Sequence, residues 1–214
     1  MIMKKQGSIF RENYERYMRQ IKDLDFSKLA LKLGLEKNKD QLIIPFFNKR
    51  FRVDQDGIWT PNGDMPLYSE CVVIAKYLIL CPEYIPPFKQ WVTYKDFKDA
   101  APFAGAFTTN VEKSIAKRFA NKLGDLKEAG LSLGGRTLKD TGLSYELIME
   151  FDVLPMFRLL LVFNDQDEEF PPEAKVLFPD NSDKFLDMEC LAISGWLLSD
   201  YLYLACGGST MTIM

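Results

Sequence analysis

Residues 151–178, FDVLPMFRLLLVFNDQDEEFPPEAKVLF, constrain the fold of this chain more than any other stretch. The run 153–163 is interrupted only by Pro155 and Arg158, and a segment of that length rich in Leu, Val and Phe reads as one buried strand. It stops at Asn164, Asp165, Asp167, Glu168 and Glu169; then Pro171 and Pro172 intervene before Val176, Leu177 and Phe178 restore the apolar character. Acidic residues bounded by prolines mark a turn. The expectation is two sheet strands joined by an acidic loop.

The flanking pattern supplies the rest of an α+β chain, with an antiparallel or mixed sheet covered by several helices. Upstream, 42–47 and 51–54 are short β-rich runs, and Asp56 with Gly57 marks a turn before Ile58 and Trp59. This predicts a three-stranded meander, with Pro45 placing its first strand at an edge. Helical spacing predicts an amphipathic helix from residue 8 and a second from an N-cap at Ser27 to Gly34, together an N-terminal arm over 8–35. Further helices are expected near 65–80, from a capping box at Thr109 and Glu112, and over 182–204. Residues 91–94 read as a short strand, 145–151 as another, and 207–214 as a loose tail. Strand-like runs grouped between helical ones, without regular alternation, argue against βαβ units. The 214 residues fit one globular domain, 1–214.

Composition excludes several kinds of chemistry. Without any His, the chain lacks the commonest general base and the usual nitrogen ligand for zinc or haem. Lys and Arg total 27 against 30 for Asp and Glu, so no broad positive field attracts nucleic acid. Cys71, Cys81, Cys190 and Cys206 form no CxxC pair and lie in apolar surroundings, which predicts reduced, mostly buried thiols without metal. A four-cysteine metal or iron-sulfur site is the alternative. The first ten residues, MIMKKQGSIF, carry no apolar run of the secretory kind, and a cytoplasmic location is expected. The most hydrophobic window, 190–206, contains Ser194, Ser199 and Asp200 and is short for a bilayer, so it reads as a buried helix and no membrane partner is expected.

Two weak constellations remain. Asp165, Asp167 and Glu169 alternate, so extended backbone would aim their carboxylates to one side, a geometry suited to a divalent cation such as Mg or Ca. Gly134, Gly135 and Arg136 could cradle a phosphate-like anion, although the spacing is neither a P-loop nor a dinucleotide fingerprint. No catalytic residue is assigned. A binding or accessory module for a protein or small molecule is therefore the favoured function, ahead of a metal-assisted hydrolase built on the acidic loop and of a cysteine-bound metal carrier.

The segments WVTYKDF at 91–97, LGG at 133–135, FDVLP at 151–155, FNDQDEEFPPE at 163–173 and LDMECLAISGWLL at 186–198 together resemble a domain-of-unknown-function family. That family is found in anaerobic bacteria and archaea and is sometimes joined to iron-sulfur modules. The resemblance spans roughly residues 10–200 and implies a protein near anaerobic redox or corrinoid metabolism. It attaches no activity to any residue, and the absence of CxxC here keeps the iron-sulfur association from transferring to these cysteines.

Overall fold

The computed structural model describes residues 2–139 and 141–208, with side chains from Phe10 onward; most of the expected tail, 209–214, lies outside the described residues. Two helices open the chain, α1 (Ile2–Lys22) and α2 (Phe26–Leu33). A small sheet follows, made of β1 (Glu36–Asn38), β2 (Gln41–Phe46), β3 (Lys49–Val53) and β4 (Ile58–Trp59), paired antiparallel in that order. After α3 (Tyr68–Ile79) and β5 (Trp91–Thr93) comes a helical layer of α4 (Ala101–Phe107), a π-helical turn over Thr108–Glu112, α5 (Lys113–Phe119) and α6 (Leu123–Ser132). The larger sheet adds β6 (Arg136–Thr137), β7 (Leu147–Leu154), β8 (Phe157–Asn164) and β9 (Glu173–Pro179) to β5, again antiparallel, in the order β5-β9-β8-β7-β6. The helix α7 (Met188–Ala205) closes the fold. The architecture is α+β, and no helix among the described residues is long and apolar enough to cross a membrane.

The central stretch divides differently from its expected form. The 153–163 run is not one strand: β7 continues through Val153 and Leu154, the chain turns at Pro155 and Met156, and β8 begins at Phe157. Proline cannot donate to a ladder, so it takes the turn between two buried strands. The acidic loop does join β8 to β9. Pro45 is likewise not on an edge strand, since β2 lies between β1 and β3; β1 pairs only as far as Ile43, so no neighbour on that side asks for the missing N–H. The helix expected to start at Thr109 is already helical from Ala101, and Glu112, instead of capping, accepts a 3.4 Å bond from the Val176 N–H of β9. The α2 cap is Asp25, whose carboxylate accepts from Ser27 and Lys28, while Gly34 ends the helix at φ 66° as the sequence predicts. The helix expected over 182–204 starts later, at Met188, with Asp187 accepting from the Cys190 N–H.

The two sheets meet where the Phe47 N–H, in the β2–β3 turn, donates to the Val153 carbonyl at 2.9 Å. One face of the larger sheet sends Met149, Phe151, Leu161, Phe163, Val176 and Phe178 into the main core beneath the helices. Its other face carries a smaller cluster of Ile148, Leu160 and Val162. In the main core Phe107 stacks on Tyr94 at 4.5 Å and meets Phe178 at 5.6 Å. Gly195 of α7 lies against this ring: a Cβ there would stand 2.5 Å from Phe107 Cε2. An added methyl forces the aromatic stack to shift, and overpacking of that kind costs about 1–3 kcal/mol. Gly195→Ala should therefore lower the urea midpoint by an amount of that order, and an unchanged midpoint would show that the stack yields freely.

Candidate functional site

Three helices build an apolar cleft. The apolar stripe of α1 buries Tyr17, Met18 and Ile21 against α3, and the Tyr14 hydroxyl accepts from the Ile58 N–H at 3.0 Å. Lys76 of α3 pairs with Asp187 at the start of α7 at 3.0 Å and lies 5.8 Å from the Tyr17 ring, so one ammonium touches all three helices. Phe10 tilts over Tyr68 at 4.4 Å. Where the helices diverge they leave a cavity of about 330 Å³, walled by Phe10, Tyr17, Val72, Ile193, Trp196 and Leu197 and reached by Asn13, Arg16, Glu189 and Asp200. Burial raises the Tyr68 phenol, with Asn13 and Arg16 drawing it down and Tyr17 and Glu189 pushing it up. Asp200 is held by Arg118 of α5 at 3.3 Å, with the Arg118 guanidinium 4.5 Å from the Tyr203 ring.

Beneath the cleft lies a buried carboxylate. Glu70, 2% exposed in the first turn of α3, accepts from the Leu67 N–H at 2.9 Å, pairs with Lys49 of β3 at 3.1 Å, and takes the Tyr201 hydroxyl of α7. Lys49 also sits 4.5 Å over the Tyr201 ring. Burial, and then the neighbouring Glu70 charge, raises the Tyr201 phenol well above its ordinary value, so it stays protonated and donates. Leu67 and Tyr201 both line the cavity, so the carboxylate fixes two of its surfaces from behind. Sequence reasoning passes over Glu70, Lys49 and Tyr201. The available signal is a Glu three residues after Leu67 at a helix start, where carboxylates commonly reach back to a free backbone N–H.

A second cleft, of about 780 Å³, lies between the π-helical turn and the acidic loop, lined by Glu112, Lys113, Glu146, Asp165, Asp167, Phe170 and Glu173. The loop is bent at Glu168 and Glu169 instead of extended, so the alternation does not aim three carboxylates together. Asp165 accepts from the Asn121 and Gln166 N–H groups at 2.7 and 2.8 Å. Asp167 accepts from Glu169 and Phe170 in its own turn, and those backbone donors hold it below the usual carboxylate range. Among the described residues no three of His, Cys, Asp or Glu gather in a way that could hold a metal ion. Glu112 is the unusual acid here: partial burial raises it, against hydrogen bonds from Thr108 and Val176.

Gly134, Gly135 and Arg136 close the end of α6. The Gly134 and Gly135 N–H groups donate back to the Leu131 and Gly130 carbonyls at 3.0 and 2.9 Å, and Gly134 takes φ 81°. Arg136 lies between Glu150, at 2.6 Å, and Asp152. The donors that would meet an anion are thus engaged within the fold, at the negative end of a helix. The four cysteines stay apart as free thiols. Burial pushes Cys71 up to about 12 and raises Cys190, Cys81 and Cys206 as well, so none is a ready thiolate at neutral pH.

Comparison with known proteins gives one match: a family model described as a domain of unknown function, DUF3786, covers residues 25–201, beginning after α1. No curated protein matches the chain. No solved structure matches it either.

Two outcomes test this geometry. Lys49→Met leaves Glu70 without its counter-charge and should cost about 1–3 kcal/mol. In the Glu70→Gln background the same change should cost much less, a coupling that a double-mutant cycle measures; additive losses would show that the pair does not act together. For Glu112 the folded carboxyl titrates above its unfolded counterpart, so its ionisation costs stability above the raised value and costs nothing below the ordinary carboxylate range. Glu112→Gln should therefore raise the urea midpoint at about pH 7, with the gain fading toward about pH 4. A difference that does not change with pH would contradict this.

Proposed function

The chain belongs to the DUF3786 family of domains of unknown function, and from its geometry we propose that it is a binding module whose α1–α3–α7 cleft takes a compact, ring-bearing small molecule. The observation that carries this reading is the cavity itself: aromatic and aliphatic walls, with a few polar side chains among them. That is the usual composition of a ligand site, in which apolar surface supplies affinity and a few polar groups supply orientation. Its volume of about 330 Å³ sets the size of the occupant. Ligand sites run from about 300 to 1,000 Å³, so this one suits one or two rings and is small for a dinucleotide.

Binding is favoured over hydrolysis because the Tyr201 hydroxyl, on a residue of the lining, and the Glu70 carboxylate behind it are spent on each other and on Lys49. Neither is free to deliver or take a proton. A setting near anaerobic redox or corrinoid metabolism is supported only by the resemblance of the quoted motifs, and no cleft residue bears on it.

Trp196 lines the cavity, and Trp59 and Trp91 lie outside it, which makes intrinsic fluorescence a selective probe. A Trp59→Phe, Trp91→Phe protein, titrated with one-ring and two-ring compounds, should show a saturable change in Trp196 emission. Ile193→Phe in the same background fills the cleft and should abolish saturation. A linear response alike in both proteins would refute a binding site here.

A further inference from the structure

Strand β9 is paired on both sides over only part of its length. β8 runs beside it from Glu173 to Leu177, whereas β5 meets it at Leu177, Phe178 and Pro179 alone and then leaves the sheet in a 3₁₀ turn at Tyr94–Asp96. The half Glu173–Val176 therefore has a strand neighbour on one side and, among the described residues, none on the other. The Val176 N–H shows which way the open side points, since it donates to the Glu112 carboxylate at 3.4 Å and not to β8. Backbone groups of a strand repeat their direction every second residue, so the N–H and carbonyl of Ala174 point to the same open side. Ala174 is 5% exposed, and among the described residues no backbone group bonds it from that side. A buried backbone group without a partner carries a cost that an added strand removes.

The cleft of about 780 Å³ lies against this edge, walled by Glu173, Ala174 and Lys175 of β9 and by Thr108 and Glu112 of the π-helical turn. Its lining sets the charge of whatever enters. Glu112, Glu146, Asp165, Asp167 and Glu173 stand against Lys113 and Lys175, and Lys175 is already paired with Glu173 at 2.9 Å. Phe170, 65% exposed, adds an aromatic ring to the same lining. We propose that the Glu173–Val176 edge of β9 docks an extended, basic segment of a partner protein, added to the sheet as a further strand. Ladder bonds to Ala174 and Val176 supply affinity without regard to sequence, and the carboxylates supply the preference for lysine or arginine. The Glu112 bond is long for an N–H donor, so a peptide carbonyl competes with it for Val176. The displaced carboxylate remains on the cleft wall, where an incoming cation offsets the burial that raises it. This surface is separate from the α1–α3–α7 cleft, and neither reading depends on the other.

Calorimetric titration of the full chain with capped hexapeptides tests the proposal. The first alternates lysine and valine, the second carries glutamate in place of lysine, and the third is the lysine peptide N-methylated through its centre, which keeps the charge and removes the donors. The lysine peptide should bind at least about tenfold more tightly than its N-methylated form, the worth of one or two backbone hydrogen bonds. The glutamate peptide should not bind. Ala174→Pro removes an edge donor that the β8 ladder does not use, and should weaken the lysine peptide by about the same factor. Glu173→Lys, at an exposed position, should weaken it too, and with the peptide series it decides the matter even where Ala174→Pro fails to fold. Equal binding of the N-methylated peptide, or of spermidine, overturns strand addition and leaves a site for organic cations. If the lysine peptide does not bind, the proposal is refuted. Self-association in sedimentation that Ala174→Pro abolishes, without peptide binding, assigns the edge to a second copy of this chain instead.

Discussion

The Glu70 carboxylate is the group whose satisfaction the rest of the structure must arrange. Taking an isolated carboxylate out of water costs several kcal/mol unless the protein replaces the lost hydration. Here the replacement comes from three directions: the Leu67 N–H at the start of α3, the Lys49 ammonium from β3 and the Tyr201 hydroxyl from α7. No single element can supply all three. The small sheet, α3 and α7 must therefore reach their native arrangement together, or the charge is left stranded. A buried charge of this kind is a poor source of net stability but a strong discriminator between packings.

That discrimination bears on the cleft. Apolar helices can slide past one another at little cost, because one Leu or Ile contact substitutes readily for another. A carboxylate with three fixed donors tolerates no such slip, and the Lys76–Asp187 pair sets a second point between α3 and α7. The cavity walls are thus positioned by polar contacts lying behind and beside them, while the walls themselves stay apolar. Rigidity of this sort lowers the ordering cost of taking up a small ligand.

Much of the fold was legible in the sequence, since the periodicities that mark α1, α3, α7 and the sheet strands are direct consequences of burying one face. Misreadings fell where a local signal has two meanings. Pro155 in an apolar run could be a tolerated interruption or a turn, and composition alone favoured the longer strand; the hairpin β7–β8 shows the turn. Thr109 and Glu112 match a capping pattern, but the upstream residues Ala101–Phe107 are themselves helical, so the pattern lies inside a helix and Glu112 turns to the β9 backbone. The candidate site was the least legible part. Tyr201 lies 131 positions beyond Glu70, and with Lys49 the three become neighbours only through tertiary packing. Asp165, Asp167 and Arg136 stood out in the sequence as charges in loops, and the structure engages each with backbone donors or opposite charges nearby.

The strand order of the larger sheet also ranks the steps of assembly. β7, β8 and β9 are consecutive in the chain and pair as a meander, so their contacts close short loops of low entropic cost. β5 pairs with β9 as Val92 opposite Phe178, a contact that must close the whole helical layer between them. Local pairings form early and distant ones late, because chain entropy must be given up before the contact returns anything. The meander is therefore the nucleus that the topology favours, and the aromatic stack of Tyr94, Phe107 and Phe178 can form only once the segment carrying β5 has been drawn back onto it. Side chains that make this protein rigid at equilibrium are, by the same connectivity, among the last to find their places.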